Sequence, residues 1–322
     1  MRVRLIGRSE GVIGSRASNS SVMNVNRMTS APTEANLDAL LIAVYVLLDE
    51  MLPPRERRSG PPPKVTDPEL ICMAMAQVLL GYSGERHWLR NARRHVGHLF
   101  PRILDQSGYT RRLRALGPKI LEAILLVSHI SDASCDRVKL IDSTPVPVAM
   151  SRETVKRSEF AGHAEYGYCA SHSRYFYGYR LHLMCAPCGM PIGFELTPAK
   201  TDERDVALML AERFLKPGDV LMGDKGYRSA DLERDLAYGE ITLIRPDRAD
   251  EAKRFGKLGG MRQWIESIFD TLKGQLSLEN HGARQLDSLV SRIGRRLLAL
   301  AAAVWHNMNI GNTSRSLIAY DH

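Results

Sequence analysis

The sequence predicts an α/β protein, with a mixed β-sheet flanked by helices and preceded by a small all-helical N-terminal domain. Two observations support this fold class. Over residues 34–135, apolar residues recur at helical spacing, without the alternation that is typical of strands. Over residues 136–311, strand-like segments come first and then alternate with amphipathic helical segments. That order is typical of a mixed sheet with helices packed on it.

The helical domain is predicted from apolar spacing and from helix start signals. The segment from Leu37 to Met51 places its apolar residues on one face, which predicts an amphipathic helix. Pro68 suits the first turn of a second helix, because its missing N–H group is not needed there. Segments 85–99 and 110–130 are also predicted to be helical.

Three segments lack regular structure in this prediction. Residues 1–33 are rich in Ser, Asn, Arg and Met and show no periodicity, which indicates a disordered N-terminal extension. Residues 53–68 contain an RERR cluster and three consecutive prolines, which indicate an exposed linker. Residues 312–322 are interpreted as a tail that follows the α/β domain.

The α/β domain is predicted to contain strands and helices in the following order. A short strand, 138–141, is predicted to end at the turn-like sequence Asp-Ser-Thr-Pro that begins with Asp142. Two further strands form a hairpin around residues 186–190. The strands of that hairpin are 179–185 and 191–197, followed by helix 203–215, strand 220–223, helix 229–238, strand 241–244 and helices 261–276 and 284–309.

Positive charge is concentrated in the first part of the chain. Residues 1–135 contain 18 Lys/Arg and 12 Asp/Glu, a net charge of +6, whereas residues 136–322 contain 26 and 24, a net charge of +2. This asymmetry favours an N-terminal region that binds a polyanion such as DNA, joined to a more neutral body.

The cysteine pattern and the apolar stretches bear on location. Five cysteines without regular spacing do not form a disulfide framework, so we expect a reducing cytoplasm. The apolar stretch 297–304 is too short to span a bilayer, and no membrane partner is expected. Cys185 and Cys188, with His182 close by, could belong to a zinc site, although no second pair follows at suitable spacing.

Two aspartates follow strand-like segments of the α/β domain. Asp142 follows VKLI, and Asp224 follows DVLMG. Carboxylates at the carboxyl ends of neighbouring strands converge on one edge of a sheet, where α/β proteins place their sites. Each aspartate alone could equally be a structural turn residue. The pair becomes a candidate site because a third carboxylate follows on a helix.

That helix has the sequence MRQWIESIFDTLKGQL, over residues 261–276. Glu266 lies one turn after Arg262 and about two turns before Lys273, on a different stripe from the apolar residues. A carboxylate flanked by cations can bind a metal while the cations hold phosphate oxygens. A solvated face with an intrahelical ion pair is the alternative. Asp270, one turn further on, is the alternative third carboxylate.

These segments together resemble a known family. The order Asp…Asp…Glu, with IDSTPVPV around Asp142, GDKGYRS around Asp224 and R-x3-E-x6-K in the last helix, is similar to the DDE transposases of bacterial insertion sequences. One departure is Gly259, where many relatives have a Tyr three residues before the helix Arg. The resemblance covers about residues 136–310 and implies a ribonuclease-H-like catalytic domain and a cytoplasmic, nucleoid-associated protein.

The resemblance also implies a mechanism. Asp142, Asp224 and Glu266 would be the catalytic residues and would bind Mg²⁺ or Mn²⁺, the hard cations that oxygen ligands prefer. Two ions about 4 Å apart can activate a water and stabilise the departing oxygen. The first displacement would free a 3′-hydroxyl at the element end, and the second would join it to target DNA.

The positions of other residues suggest contacts with DNA. Arg262 and Lys273 would position phosphates, as would Lys225 and Tyr227, which follow the second aspartate. The aromatic run 166–182 could stack on bases. Basic residues in 84–98 suit a helix lying on phosphates, so the helical domain is the candidate for recognition of the element's terminal repeats. A solvated surface is the alternative for both segments.

Two other functions are compatible with the same residues. A metal-dependent nuclease would cut DNA without joining it, and would share all three carboxylates. A DNA-binding protein descended from a transposase would have lost catalysis, although the intact carboxylate set argues against it. Because a transposase must bring two DNA ends together, we expect a homo-oligomer on DNA.

Overall fold

The computed structural model describes five stretches of the chain, which are residues 35–53, 63–149, 152–169, 173–255 and 258–320. Two of the predicted segments lie wholly or mostly outside the described residues. They are the N-terminal extension 1–33, predicted to be disordered, and the linker 53–68. No helix in these stretches is both long and apolar enough to cross a membrane.

The first part of the chain is helical, as predicted. Its helices are α1 (Leu37–Met51), α2 (Asp67–Leu79), α3 (Glu85–Val96), α4 (Gln106–Ala115) and α5 (Gly117–Ile130). Thr66 caps α2 in a reciprocal capping box with Glu69, and Pro68 lies in the first turn. This arrangement satisfies two backbone N–H groups that the helix leaves unpaired.

The single helix predicted over residues 110–130 is two helices. α4 ends at Ala115, and α5 begins at Gly117 with Pro118 in its first turn. A proline has no N–H group and its ring opposes a continuous helix on its N-terminal side, so the chain breaks there and α5 starts afresh.

The second part of the chain forms one mixed sheet with helices on both faces, as predicted. The strands are β1 (Val138–Ala149), β2 (Glu165–Cys169), β3 (Arg174–Cys185), β4 (Pro191–Pro198), β5 (Val220–Met222) and β6 (Thr242–Ile244). The helices are α6 (Arg152–Arg157), α7 (Glu203–Phe214), α8 (Ala230–Tyr238), α9 (Gly259–Lys273) and α10 (Leu286–Asn309).

The strand order agrees with the fold that the resemblance implies. β1 lies between antiparallel β3 and parallel β5, and β6 continues parallel beyond β5. The outer edge of β3 is shared, because β2 pairs with its first half and β4 with its second half. Without β2, the order β4-β3-β1-β5-β6 has three antiparallel strands followed by two parallel to the first, which is the ribonuclease-H-like arrangement.

One strand is longer than the sequence predicts. β1 continues through Asp142 and two prolines to Ala149, so Asp142 lies inside the strand and not in a turn at its end. The strand is held by β3 along most of its length, whereas β5 pairs only with Val138–Leu140. The opposite edge of β1 is therefore unpaired beyond Leu140, and Pro145 and Pro147 can be tolerated there.

The two faces of the sheet pack against different helices. Leu140, Leu181 and Leu183 belong to a large cluster of buried apolar residues that includes α9 and α10. Ile141 and Leu221 belong to a second cluster, with α7 and α8. Because side chains alternate between faces along a strand, the register of β1 decides which of its residues meet α9.

α10 joins the helical part to the sheet. It packs against α1, α2, α4 and α5 on one side and β4 on the other. Its residues from Ile293 to Val304 are all buried, which is typical of a helix enclosed on every side. The preceding loop is fixed by His281, whose Nε2 lies 2.9 Å from the carbonyl oxygen of Pro147.

The burial of His281 predicts a loss of stability in mild acid. Burial lowers the pKa of His281 to about 4, although its hydrogen bond to Pro147 acts in the opposite direction. The unfolded chain takes up this proton near pH 6.5 and the folded chain only near pH 4. The stability contributed by the neutral imidazole is therefore complete above pH 6.5 and is lost as the pH falls towards 4.

When the pH is lowered from about 7 to about 5, the unfolding free energy of the wild type should fall. We expect that fall to be about 1–2 kcal/mol smaller in His281→Gln. Urea denaturation at the two pH values measures this difference. His163→Gln is the control, because the His163 side chain is exposed. If the unfolding free energy fell equally in the wild type and in His281→Gln, the buried neutral His281 would not be the source of the acid sensitivity.

Candidate active site

The pairing of β1 with β5 places two carboxylates side by side. Leu140 on β1 is directly opposite Met222 on β5, and the strands are parallel. Asp142 and Asp224 each come two residues later, so they are level with each other and on the same face of the sheet. Both are half-buried, and both line one pocket with Leu140, Ile141, Met222, Gly223, Pro246, Leu258 and Ile265.

The third carboxylate lies on the helix that covers this pocket. Ile265 of α9 is buried and lines the pocket, and Glu266 is the next residue, with an exposed side chain. The predicted apolar stripe of this helix is confirmed, since Ile268, Phe269 and Leu272 are buried. The two aspartates thus line the pocket, and Glu266 is exposed on α9 directly after a residue that lines it.

The donor atoms of this pocket fit a hard divalent cation. Asp142 and Asp224 present only oxygen donors, the ligands that Mg²⁺ and Mn²⁺ prefer. In the described part of the chain, no three His, Cys, Asp or Glu side chains are close enough together to hold one ion. The two aspartates thus provide part of the ligand set for a metal ion. A third protein ligand among the described residues is not close enough to complete that set.

A second acidic group, absent from the sequence prediction, lies beside the aspartates. Glu203, the first residue of α7, accepts hydrogen bonds from Ser143 Oγ at 2.8 Å and from Arg180 Nη1 at 2.7 Å. Arg180 also donates to Ser143 Oγ at 3.0 Å and to the carbonyl of Tyr168 at 2.8 Å. This network fixes the residue that follows Asp142.

Glu203 does not stand out in the sequence, because it lies between two other acidic residues. Asp202 is the N-cap of α7, and Asp205 lies in its first turn. The signal for Glu203 is a tertiary one. Only the pairing of β1 with β3 brings Ser143 and Arg180 together at the start of this helix.

Tyr227 lies behind the carboxylates and not on the surface. Its side chain is completely buried, and its hydroxyl has no hydrogen-bond partner among the described residues. Burial raises its pKa well above the usual value, and the negative charges of Asp142, Glu203 and Asp224 raise it further. The phenol thus faces three carboxylates from within the protein, where contact with a DNA phosphate is not available to it.

The predicted phosphate-binding cations lie in the turn after Asp224 and on α9. Lys225 is exposed in the short turn after Asp224, and its carbonyl accepts a hydrogen bond from Arg248. Lys273 is the last residue of α9 and is half-buried. Arg262 is one turn before Glu266 in the same helix. Asp270, the alternative third carboxylate, is exposed one turn after Glu266.

The cysteine pair of the hairpin has a different environment. Cys185 is buried, and burial raises the pKa values of both Cys185 and Cys188. His182 is also buried, and its Nε2 lies 2.9 Å from Thr197 Oγ1 on the adjacent strand. Cys185 and His182 are thus part of the sheet's interior, whereas Cys188 is partly exposed in the hairpin turn.

Comparison with known proteins identifies the family. A family model described as the transposase DDE domain matches residues 133–302, more than half of the 322-residue chain. The chain therefore belongs to the DDE transposase family, which confirms the predicted resemblance to DDE transposases. No curated protein gives a match. Among solved structures, the chain is similar to the piggyBac transposase in a synaptic complex with hairpin DNA, with 11% identity and a TM-score of 0.46, over 88% of this chain and 78% of that chain.

The contact between Gly223 and Tyr227 predicts a sensitive position next to Asp224. A Cβ atom at Gly223 would lie 2.6 Å from Tyr227 Cδ2, which is too close for real atoms. Because the Tyr227 ring is buried, Gly223→Ala should displace the strand end that carries Asp224. We expect a loss of about 1–3 kcal/mol in unfolding free energy, measured with urea, and a smaller stabilisation by Mg²⁺ than in the wild type.

Gly239→Ala is the matched control for this substitution. A Cβ atom at Gly239 would make only ordinary contacts, the nearest at 3.5 Å. If Gly223→Ala matched the wild type in both stability and response to Mg²⁺, the close packing between Gly223 and Tyr227 would not be what positions Asp224.

Proposed function

We propose that the chain is a transposase that cuts DNA at the ends of an insertion sequence and joins those ends to target DNA. The observation that supports this most directly is the register of β1 and β5. It sets Asp142 and Asp224 level at one pocket, inside the segment that matches the transposase DDE domain. Glu266, which follows the pocket-lining residue Ile265 on α9, is the proposed third catalytic residue.

The three carboxylates would hold two Mg²⁺ or Mn²⁺ ions. When bound, such ions activate an attacking water and stabilise the departing oxygen. The protein's contribution is to fix the carboxylates. Asp142 is held in a paired strand, and Ser143 beside it is fixed by Arg180 and Glu203. A fixed carboxylate loses little freedom when it binds an ion, which is the purpose of outer contacts around metal ligands.

Cations at the rim would position the DNA backbone. Lys225, Lys273 and Arg262 lie on the two elements that carry Asp224 and Glu266, so a phosphate held by them would be next to the pocket. For Tyr227, which the sequence predicts as a phosphate contact, we propose a packing role instead. Its buried ring lies against Gly223 and supports the strand end that carries Asp224.

The helical domain offers a surface for DNA. On α3, the buried residues Trp88, Ala92 and Val96 form the inner side. The arginines Arg86, Arg90, Arg93 and Arg94 are exposed, and none of them makes an ion pair within the described stretches. Unpaired arginines along one helix are suited to successive phosphates, so we propose that α3 lies on the DNA of the element end.

The β2–β3 hairpin offers a second kind of contact. Tyr168 and Tyr175 are opposite each other, with ring centroids 5.0 Å apart, and both rings are exposed, Tyr175 by 78%. Exposed aromatic rings bind unpaired bases by stacking. We propose that this pair contacts bases near the cut site, and that two copies of the chain assemble on the two DNA ends.

The decisive experiment is cleavage and strand transfer on labelled DNA that carries the element's ends, with Mg²⁺ or Mn²⁺. We expect the wild type to give both products. Asp142→Asn, Asp224→Asn and Glu266→Gln should each reduce both by more than about 100-fold, because even the outer partners of metal ligands cost 10–100-fold when lost. Binding of DNA should persist in all three variants.

Asp270→Asn is the matched control, because it removes a carboxylate from the same helix one turn away. If Asp270→Asn were inactive and Glu266→Gln active, the third ligand would be Asp270. Cleavage without joining by the wild type would identify a nuclease. Binding without cleavage by the wild type would identify a DNA-binding protein that has lost catalysis.

The proposed role of α3 predicts a change in salt dependence. Each phosphate contact adds about 0.9 to the slope of log affinity against log salt concentration. Replacing both Arg90 and Arg94 by Gln should therefore lower the slope by about 2, weakening binding to all DNA sequences similarly. Arg234→Gln is the control, since Arg234 is exposed on α8 but already paired with Asp231 and Asp235. An unchanged slope in the double variant would remove α3 from the interface.

A further inference from the structure

A cluster of buried arginines lies where the helical part meets α10. Arg292, Arg295 and Arg296 follow one another on α10 and approach the end of α2. Arg295 and Arg296 are 3% and 4% exposed. Removing a guanidinium from water is costly unless an anion compensates its charge, so buried cations are normally paired.

The cluster holds more positive than negative charge. Its one carboxylate is Glu85, whose Oε1 lies 2.9 Å from Arg292 Nη2 and 3.5 Å from Arg295 Nη2. Arg296 has no carboxylate partner in the described part of the chain, and donates only to the carbonyls of Ser277 at 3.1 Å and Arg292 at 2.8 Å. The cluster thus contains three guanidiniums and one carboxylate.

The nearby groups do not remove this excess. Arg114 of α4 is close enough to act on Arg292 and adds to the positive charge. His281, which accepts Arg292 Nη1 at its carbonyl, has a neutral imidazole. The pKa of Arg296 is lowered to about 9 by burial and by the charges of Arg295 and Arg292. The cluster therefore carries more guanidinium charge than Glu85 alone neutralises.

The arginines line a small cleft that opens to solvent. Its walls include Gly81 and Ser83, both exposed in the loop between α2 and α3, and Ser277 in the loop after α9. A Cβ atom at Gly81 would meet no other atom within 4 Å, so the mouth is open on that side. The cleft is narrow, with a volume of about 10 Å³, which accommodates one oxygen of an anionic group and excludes a whole nucleotide.

We propose that this cleft is an anion site that binds one phosphate group. The excess of two positive charges matches a phosphate monoanion or dianion better than a chloride, and planar guanidiniums are the side chains best suited to phosphate oxygens. The phosphate can come from the backbone of DNA or from free inorganic phosphate. The cleft adjoins the start of α3, so a DNA phosphate bound there would continue the row of arginines on that helix.

The backbone at Ser277 allows a direct test. Ser277 has a φ of +51°, a conformation in which Asp and Asn are enriched. Ser277→Asp places a carboxylate at the cleft, where it would act as an internal substitute for the phosphate. Ser277→Asn has nearly the same shape without the charge, and is the matched control.

The first arm measures the thermal unfolding of the whole chain in sodium phosphate and in sodium chloride of equal ionic strength. Phosphate several-fold above its Kd should raise the Tm of the wild type and of Ser277→Asn by roughly 2–4 °C. Ser277→Asp should have a raised Tm in chloride and no further response to phosphate. The site is refuted if phosphate does not stabilise the wild type, or if the Asp and Asn variants respond equally.

The second arm uses DNA and rests on the proposed function. If the cleft binds a DNA phosphate, Ser277→Asp should show a salt slope about 0.9 lower than Ser277→Asn. Equal slopes, with the phosphate response lost in the first arm, identify a site for free phosphate and refute its role on DNA. If no variant binds DNA at all, the proposed function fails, whereas the thermal comparison still decides whether the anion site exists.

Discussion

The pairing of β1 with β5 is the constraint on which the rest of the structure depends. Three residues of each strand fix the register, and Asp142 and Asp224 both lie two residues beyond the last pair. A slip of one residue would turn one aspartate to the opposite face, towards α7 and α8. The outer strands extend the sheet, and α9 closes over the face that this register selects. The candidate site is therefore a consequence of backbone hydrogen bonding.

Two regions of this molecule hold an excess of buried or half-buried charge. The region around the aspartates is negative, and the region around the arginines of α10 is positive. Around the aspartates, one guanidinium, from Arg180, stands among several carboxylates, and Tyr227 has an unpaired buried hydroxyl. Around α10, one carboxylate stands among several guanidiniums. Such groups are unfavourable for folding alone, since uncompensated charge is costly to bury. A bound ligand of opposite charge would compensate each group. Proteins tolerate the cost of uncompensated charge mainly at functional sites.

The sequence predicted what depends on local patterns and missed what depends on distant partners. α1, the β3–β4 hairpin and the apolar stripe of α9 follow from periodicity and turn residues, and the structure has them. The sequence predicts that β1 ends at Asp142, because Asp-Ser-Thr-Pro is typical of a turn. Only the pairing with β3 and the free opposite edge allow the strand to continue. Glu203 was missed for the same reason, since its partners are distant in sequence. The family motifs identified the aspartates, but no pattern could show that Tyr227 is buried behind them.

The enclosure of α10 has a consequence for how the protein is made. The helices near residues 37–130 find much of their buried surface on α10, which is synthesised after them. They cannot complete their packing until residues 131–285 and α10 itself have been made. A polypeptide interrupted before residue 286 would lack this shared centre. Folding of the helical part is thereby coupled to synthesis of the sheet that precedes α10, so the two parts of the chain become complete together.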